Sequence, residues 1–461
     1  EAGGGYRTGG TFDAGLDAKV GVTPTLVLDA TFRTDFAQVE ADTQRVNLTR
    51  FPIFFPEKRD FFLERIGFTR FGQQELGEVF YSRRIGLSAD GEPVPIVGGA
   101  RLTGNVGRTE VGVIAIRQDA SAGLPETDFY VARVRHPLGA RSSFGAIFTD
   151  REGGPPGTEW NRAAGLDLDW KPTETLAFTA FWATTRDPQG KADTDGWRVS
   201  GQFDDGAWSA YSSLKRYDED FEPGIGFVPR TGITNAFGRA GRRFYPAKGF
   251  VREWEVGGEL DYFEDMEGDP VGREIRFELR AEGRDASYLE AEPFSSEWDR
   301  LDEPFEIRPG IVIPAGGYTN RRRGVEIGTS PAGVVSAAAG VEWGSFYGGH
   351  GEKLALEASY RPNPHLLVEA TGEHNDVRLP AGSFTASLAG LRTTWNFSRA
   401  LLLTAYAQVN SDSDVTSLNA RLRWMWRPGS DVYVVYNRAT GKGLEKRTWQ
   451  LMLKATWAIL P

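Results

Sequence analysis

Apolar and polar residues alternate along most of this chain with a period of two, the spacing at which successive strand side chains point to opposite faces. Leu16, Ala18, Val20 and Val22 alternate with Asp17, Lys19 and Gly21. After Thr23-Pro24-Thr25, the set Leu26, Leu28, Ala30 and Phe32 alternates with Val27, Asp29, Thr31 and Arg33. The pattern predicts a two-stranded hairpin about a short turn. From about Pro95 it resumes and runs to the C-terminus. Trp254, Val256, Leu260 and Tyr262 alternate there with Glu253, Glu255, Glu259 and Asp261. Near the end, Leu418, Ala420, Leu422, Trp424 and Trp426 are set against Asn419, Arg421, Arg423 and Arg427. The last strand opposes Trp449, Leu451, Leu453, Ala455, Trp457 and Ile459 to Gln450, Met452, Lys454 and Thr456.

Two features separate this pattern from a soluble sandwich. The polar face carries full charges of both signs, while the apolar face often ends in Trp or Tyr. Short Pro- and Gly-containing turns, such as those at 136–139, 245–249, 330–333, 361–364 and 427–430, also alternate with longer acidic loops at 217–222, 263–269 and 291–317. Strands of roughly 10 residues with an apolar outer band, short turns on one rim and long loops on the other are the pattern of an outer-membrane barrel. In lipid every backbone N–H and C=O must be paired, which only a closed barrel achieves with strands. The fold expected is therefore an all-β transmembrane outer-membrane β-barrel of about 22–24 antiparallel strands with an inserted segment. The count comes nearest to about 23, where an even number is the rule. The expectation is either a partner strand before Glu1 or one miscounted strand, within 224–247 or 291–317.

One stretch breaks the period. From Phe36 to Gly86 the chain packs aromatics and paired charges together, as in Phe51-Pro-Ile-Phe-Phe-Pro-Glu-Lys-Arg-Asp-Phe-Phe-Leu-Glu64. Pro52 and Pro56 exclude a helix or a central strand. A loop this long in a compact protein is either functional or disordered, and its aromatic content argues for folding. The division expected is 1–36 for the first barrel strands, 37–93 for the insert and 94–461 for the remaining barrel. A barrel of this width cannot fill its lumen with wall side chains, so the insert is expected to enter it as a plug or constriction. Its charges Glu57, Lys58, Arg59, Asp60, Glu64, Arg65, Arg83 and Arg84 would then pair with the inward positions Asp29, Arg33, Arg421 and Arg423. A loop packed over one rim is the plainer alternative. It would leave Phe54, Phe55, Phe61 and Phe62 exposed together. The charged ladders at 253–261 and 274–282 read first as neighbouring strands stabilising one another, and second as a solute-selecting surface.

Composition narrows the rest. The 461 residues hold no cysteine, so there is no disulfide framework and no thiol chemistry. No run approaches the roughly 18 apolar residues of a membrane-spanning helix. The net charge of −10 disfavours nucleic acid as a partner. There are four histidines, and His365 and His374 fall on opposite faces by parity, so they cannot share a metal. Asn410-Ser-Asp-Ser-Asp414 and Asp218-Glu-Asp220 could collect Ca²⁺, although acidic loop tips are more often solvated. No nucleophile elbow, P-loop or dinucleotide fingerprint stands in a credible context. Catalytic residues, metal and cofactor are all expected to be none.

Gly15-Leu-Asp-Ala-Lys-Val-Gly-Val-Thr-Pro24, Asp35-Phe-Ala-Gln-Val-Glu-Ala-Asp42, Phe54-Phe-Pro-Glu-Lys-Arg-Asp-Phe-Phe-Leu-Glu64 and Phe80-Tyr-Ser-Arg-Arg-Ile-Gly86 carry a further signal. With Gly226-Phe-Val-Pro-Arg230 and Trp343-Gly-Ser-Phe-Tyr-Gly-Gly349, they resemble a bacterial outer-membrane family of unknown function. Its members resemble a family-9 carbohydrate-binding-like domain joined to a large C-terminal barrel, and this chain resembles the barrel half. The resemblance implies architecture and suggests a saccharide, but it supplies no established substrate.

The function expected is an outer-membrane channel or transport barrel for a small solute, partly closed by the 37–93 insert. The rival is an anchor or scaffold for a binding domain or partner protein, and a third reading is a barrel-borne hydrolase. The partners expected are outer-membrane lipid and lipopolysaccharide, with a small solute, and no nucleic acid.

Overall fold

The computed structural model describes residues 15–33, 42–73, 77–88, 94–121, 123–154, 157–441 and 448–457. The Gly-rich start, Phe12, the insert's first residues Phe36–Ala41, its far boundary at 93 and Ile459 lie outside the described residues. The remainder is dominated by one antiparallel sheet of 23 strands, from Leu16–Thr23 to Thr448–Ala455. Each strand pairs with its neighbours in chain order, with two detours. The insert separates Leu26–Phe32 from its partner Ile96–Val106, and a small hairpin, Phe305–Arg308 with Ile311–Ile313, separates Tyr288–Leu301 from Gly316–Gly328. Among the described residues the first and last strands carry no pairing with each other.

The two-residue period sorts the wall. Leu453 is 77% exposed, Leu451 62% and Trp424 52%, so the greasy face points outward instead of into a dry interior between stacked sheets. A continuous apolar outer band of this kind is stable against acyl chains and not against water. The protein is an outer-membrane β-barrel. Trp426 packs against Trp424 and Trp457, and Arg427 lies over the Trp457 ring at 4.2 Å. These rings sit beside the short turn 428–429, at one margin of the wall.

That turn belongs to a rim of short connections, including 24–25, 107–108 and 205–207. The opposite rim carries 119–126, 187–194, 218–232 and 302–315. Short turns mark the periplasmic side. Leu26–Phe32 starts at turn 24–25, so the insert leaves from the long-loop rim.

The expected loop 291–317 is overturned in part, because Tyr288–Leu301 is a strand across its first third. Pro293 hides it. The register slips between Glu292 and Ser295, so the parity of inward positions changes mid-strand and the alternation breaks. Within 224–247 there is one strand, Ile233–Phe244.

Candidate functional site

Insert residues 42–88 hold little regular structure: one helical turn at Asp60–Leu63, single turns at Ile66–Phe68 and Ser82–Arg84, and the pairing of Gly72–Gln73 with Gly77–Glu78. They are held from outside themselves. Phe62, Phe71, Val79, Phe80 and Ile85 pack in one cluster with inward-facing wall residues that include Ile114, Phe129, Val131, Ile147 and Tyr217. Burying these five insert side chains is worth on the order of 10 kcal/mol, as an upper bound. Two wall glycines make the space. A Cβ at Gly165 would stand 2.6 Å from the Phe71 ring, and one at Gly196 would stand 2.6 Å from Phe221. Phe221 and Ile225, from the rim loop 218–232, complete the cluster. The same loop pairs with the insert, as Glu78 and Phe227 exchange two backbone hydrogen bonds of 2.9 Å.

The insert's charges are mostly satisfied close by. The Glu57 carboxylate accepts from the Arg59 guanidinium at 2.7 and 2.8 Å and from the Ser82 hydroxyl at 2.6 Å. Burial pushes its pKa up, but the Arg59 and Ser82 contacts outweigh that and hold it below the ordinary value. Arg59 in turn donates to the carbonyls of Ser82 (2.8 Å) and Ile85 (2.5 Å), tying the descending and returning arms together. Lys58 and Arg83 converge on Asp42. Arg65, in the left-handed conformation, donates to the Thr103 carbonyl at 3.2 Å. Arg84 donates to Gly226 at 3.0 Å.

The four expected wall partners fare differently. Asp29 is inward and pairs with Arg101 at 2.7 Å and Lys19 at 3.5 Å. The insert's Glu64 meets the same two cations, at 3.6 and 2.5 Å. Arg33 has no such pair among the described residues: it follows the last paired residue, has a φ of 48°, is exposed and lies over Phe32. Arg423 is inward but pairs with Asp431 on the adjacent strand at 2.8 Å, with Asp60 in electrostatic reach. Arg421 donates to Thr404 at 3.4 Å. For Arg423 a local strand neighbour supplies the ion pair.

Sequence reasoning missed several contacts that tie the insert to the wall. Arg101 donates to the carbonyls of both Phe61 and Glu64 while holding Asp29. Arg50 meets Asp299, which also accepts from the Tyr347 hydroxyl at 2.9 Å. Gln408 accepts from the Gln44 amide at 2.8 Å and donates to the Asp42 carbonyl at 3.0 Å. Arg308 donates to the Asn47 carbonyl at 3.1 Å. Residues 42–51 therefore form a strap fastened to strands far round the ring by these polar contacts and by Leu48 on a second apolar cluster, while residues beyond 52 carry the larger apolar anchor. Parity alone marks Arg101, Asp299 and Gln408 as inward; nothing in the local pattern names a partner across the bore.

Away from the apolar cluster the wall stays charged. A cavity of 450 Å³ is lined by Arg239, Glu255, Glu278, Glu292, Glu326 and Glu342, among others. Charges in and beside it interlock across strands: in its lining Arg239 reaches Glu278 (2.7 Å), and next to it Arg276 reaches Glu259 (2.9 Å), Glu274 (2.5 Å) and the lining Glu292 (3.1 Å). The two candidate calcium loops are otherwise engaged, Asp412 by Arg308 at 2.5 Å and Asp220 by Lys191 at 3.5 Å. Among the described residues no group of three or more His, Cys, Asp or Glu is placed to hold a metal.

Fold and bore together define the class, a large outer-membrane β-barrel with a chain segment packed against its inner wall. Residues 4–102 match the family model described as Domain of unknown function (DUF5916). Among solved structures, the siderophore receptor PirA from Pseudomonas aeruginosa is similar with a TM-score of 0.50 and 13% identity, over 80% of this chain and 83% of that one. The ferric enterobactin receptor PfeA from the same organism gives a TM-score of 0.48 and 11% identity, over 78% and 77%. At such identities the likeness is one of fold. No curated protein matches the sequence.

Proposed function

We propose that the protein is a transport barrel of the outer membrane that admits a small solute past its own inward-folded insert, residues 37–93. The observation that carries this reading is the unequal filling of the bore. Apolar insert side chains pack against part of the wall, while a charged cavity of 450 Å³ stays open away from that packing. A structural anchor has no need of a charged cavity in its bore, whereas a selective path does. A saccharide is the solute suggested by the family resemblance. Deleting residues 45–85 and recording single-channel conductance in planar bilayers tests the reading. The expected result is a larger conductance and faster liposome swelling with graded sugars; unchanged conductance would overturn the role of the insert.

A further inference from the structure

A second cavity, of 480 Å³, opens beneath the strap between the insert and the strands Gly316–Gly328, Val335–Phe346, Gly349–Asn363 and Leu366–Leu379. Its volume is in the range of small-molecule sites. Three phenyl rings from different parts of the chain border it: Phe54 of the insert, Phe227 of the rim loop and Phe346 of the wall. Opposite them the wall charges are already matched. Arg322 pairs with Glu342 at 2.8 Å, and Lys353 pairs with Glu373 at 3.3 Å. Glu352 stands across from Trp343, on the lipid side of the alternation, and its carboxylate meets His350. Arg45 on the strap is the exception. It is exposed, lines the cavity and has no ion pair or hydrogen bond among the described residues.

We propose that this cavity binds an organic anion with an apolar body, its carboxylate on Arg45 and its body against Phe54, Phe227 and Phe346. The planar guanidinium offers a two-point fork to a carboxylate, and a charge-assisted pair is stronger than a neutral hydrogen bond. A cationic ligand would face an unmatched arginine, and a neutral sugar would leave that arginine without a counter-charge. The site lies at the long-loop mouth, so occupancy would precede entry into the charged part of the bore. This assignment rests on the transport reading above, and sets an organic anion in place of the saccharide that the family resemblance suggests.

The test is calorimetric titration of the purified full chain in detergent with phenylacetate, phenethylammonium and glucose as probes. Phenylacetate is expected to bind and the other two to bind roughly tenfold more weakly or not at all. Arg45→Glu should reverse the preference between the two charged probes, and Arg45→Lys should retain it; each variant's melting temperature reports on folding. Should Arg45→Glu fail to fold, Arg45→Gln serves, with loss of phenylacetate binding expected. Equal binding of all three probes, or phenylacetate binding unchanged in the substituted chain, would overturn the site. Bilayer recording separates the two readings. Conductance without phenylacetate binding removes this site and leaves the transport reading, whereas Arg45-dependent binding without conductance removes transport and leaves the site.

Discussion

Arg50 and Asp299, 249 residues apart in the chain, meet in a two-point ion pair of 2.8 and 3.1 Å. One belongs to the strap and the other to the strand Tyr288–Leu301, so this contact fastens the insert where Leu48 of the strap also packs on a second apolar cluster that includes Leu301. Asp299→Asn keeps the shape and removes the charge. Because the rest of the insert keeps its apolar anchor, the chain should stay folded while the strap loosens. Single-channel traces are expected to show added transitions to a higher level, and traces identical to the parent would count against a fastening role.

Arg101 has a 3% exposed side chain that hydrogen-bonds Asp29 and the carbonyls of Phe61 and Glu64, with the Glu64 carboxylate at 3.6 Å. Arg101→Met would leave a buried carboxylate and two carbonyls without this donor. The loss expected is roughly 3 kcal/mol, the low end for breaking a buried pair, because Lys19 remains beside Asp29. Denaturation in detergent would measure it, and chymotrypsin should cut more readily at Phe61 and Phe62.

Gly165 faces Phe71, and a valine there would put methyl groups where the ring now lies. Overpacking of this kind costs about 1–3 kcal/mol. Since the strand Trp160–Trp170 is held by two full ladders, the ring and not the wall should yield. Gly165→Val is therefore expected to keep barrel content by circular dichroism and raise conductance. A parental conductance would mean that Phe71 does not set the width.

Glu78 sits in the insert, buried beside Phe227, and burial pushes its carboxyl from 4.5 to about 7, with Arg70 opposing the rise. The folded chain therefore holds this proton more tightly than the unfolded one. Its contribution is fully present below about pH 4.5 and is lost as the pH rises through 7. Amide exchange of residues 77–85 should accelerate from pH 5 to 8 beyond its intrinsic pH dependence, and Glu78→Gln should remove the excess. An equal excess in both proteins would argue against Glu78 as its source.

Leu356, 49% exposed on the outer face, tests the lipid assignment. Leu356→Arg should cost up to about 2–4 kcal/mol for insertion into vesicles, the range for a cation at the bilayer midplane. Glu357→Arg, one position along on the opposite face, should cost far less. Equal costs at the two positions would contradict the assignment of faces.

The barrel was legible because alternation is a local property: each strand states its own two faces, as Leu451 and Leu453 do against Gln450 and Met452. It failed where one residue shifts the parity, as at Pro293. The insert was legible as a loss of period, but its partners were not. Parity turns Arg421 and Arg423 to the polar face, yet the register sets Arg423 opposite Tyr433, two positions from Asp431, and that carboxylate pairs with it. Arg101 and Asp299 look like any other inward polar residue in their strands. What distinguishes them is a neighbour contributed from the other side of the bore, and such neighbours are decided by sheet curvature and insert path together.

The two entrances of this pore are chemically unlike. From the long-loop side an ion first meets the strap, with the unmatched guanidinium of Arg45; from the other it first meets the carboxylate-rich wall. Fixed charge placed so lopsidedly would act as a diode: current driven one way by a given voltage should exceed current driven the other way, and that imbalance should shrink when Arg45 is replaced by glutamate, which leaves both entrances acidic.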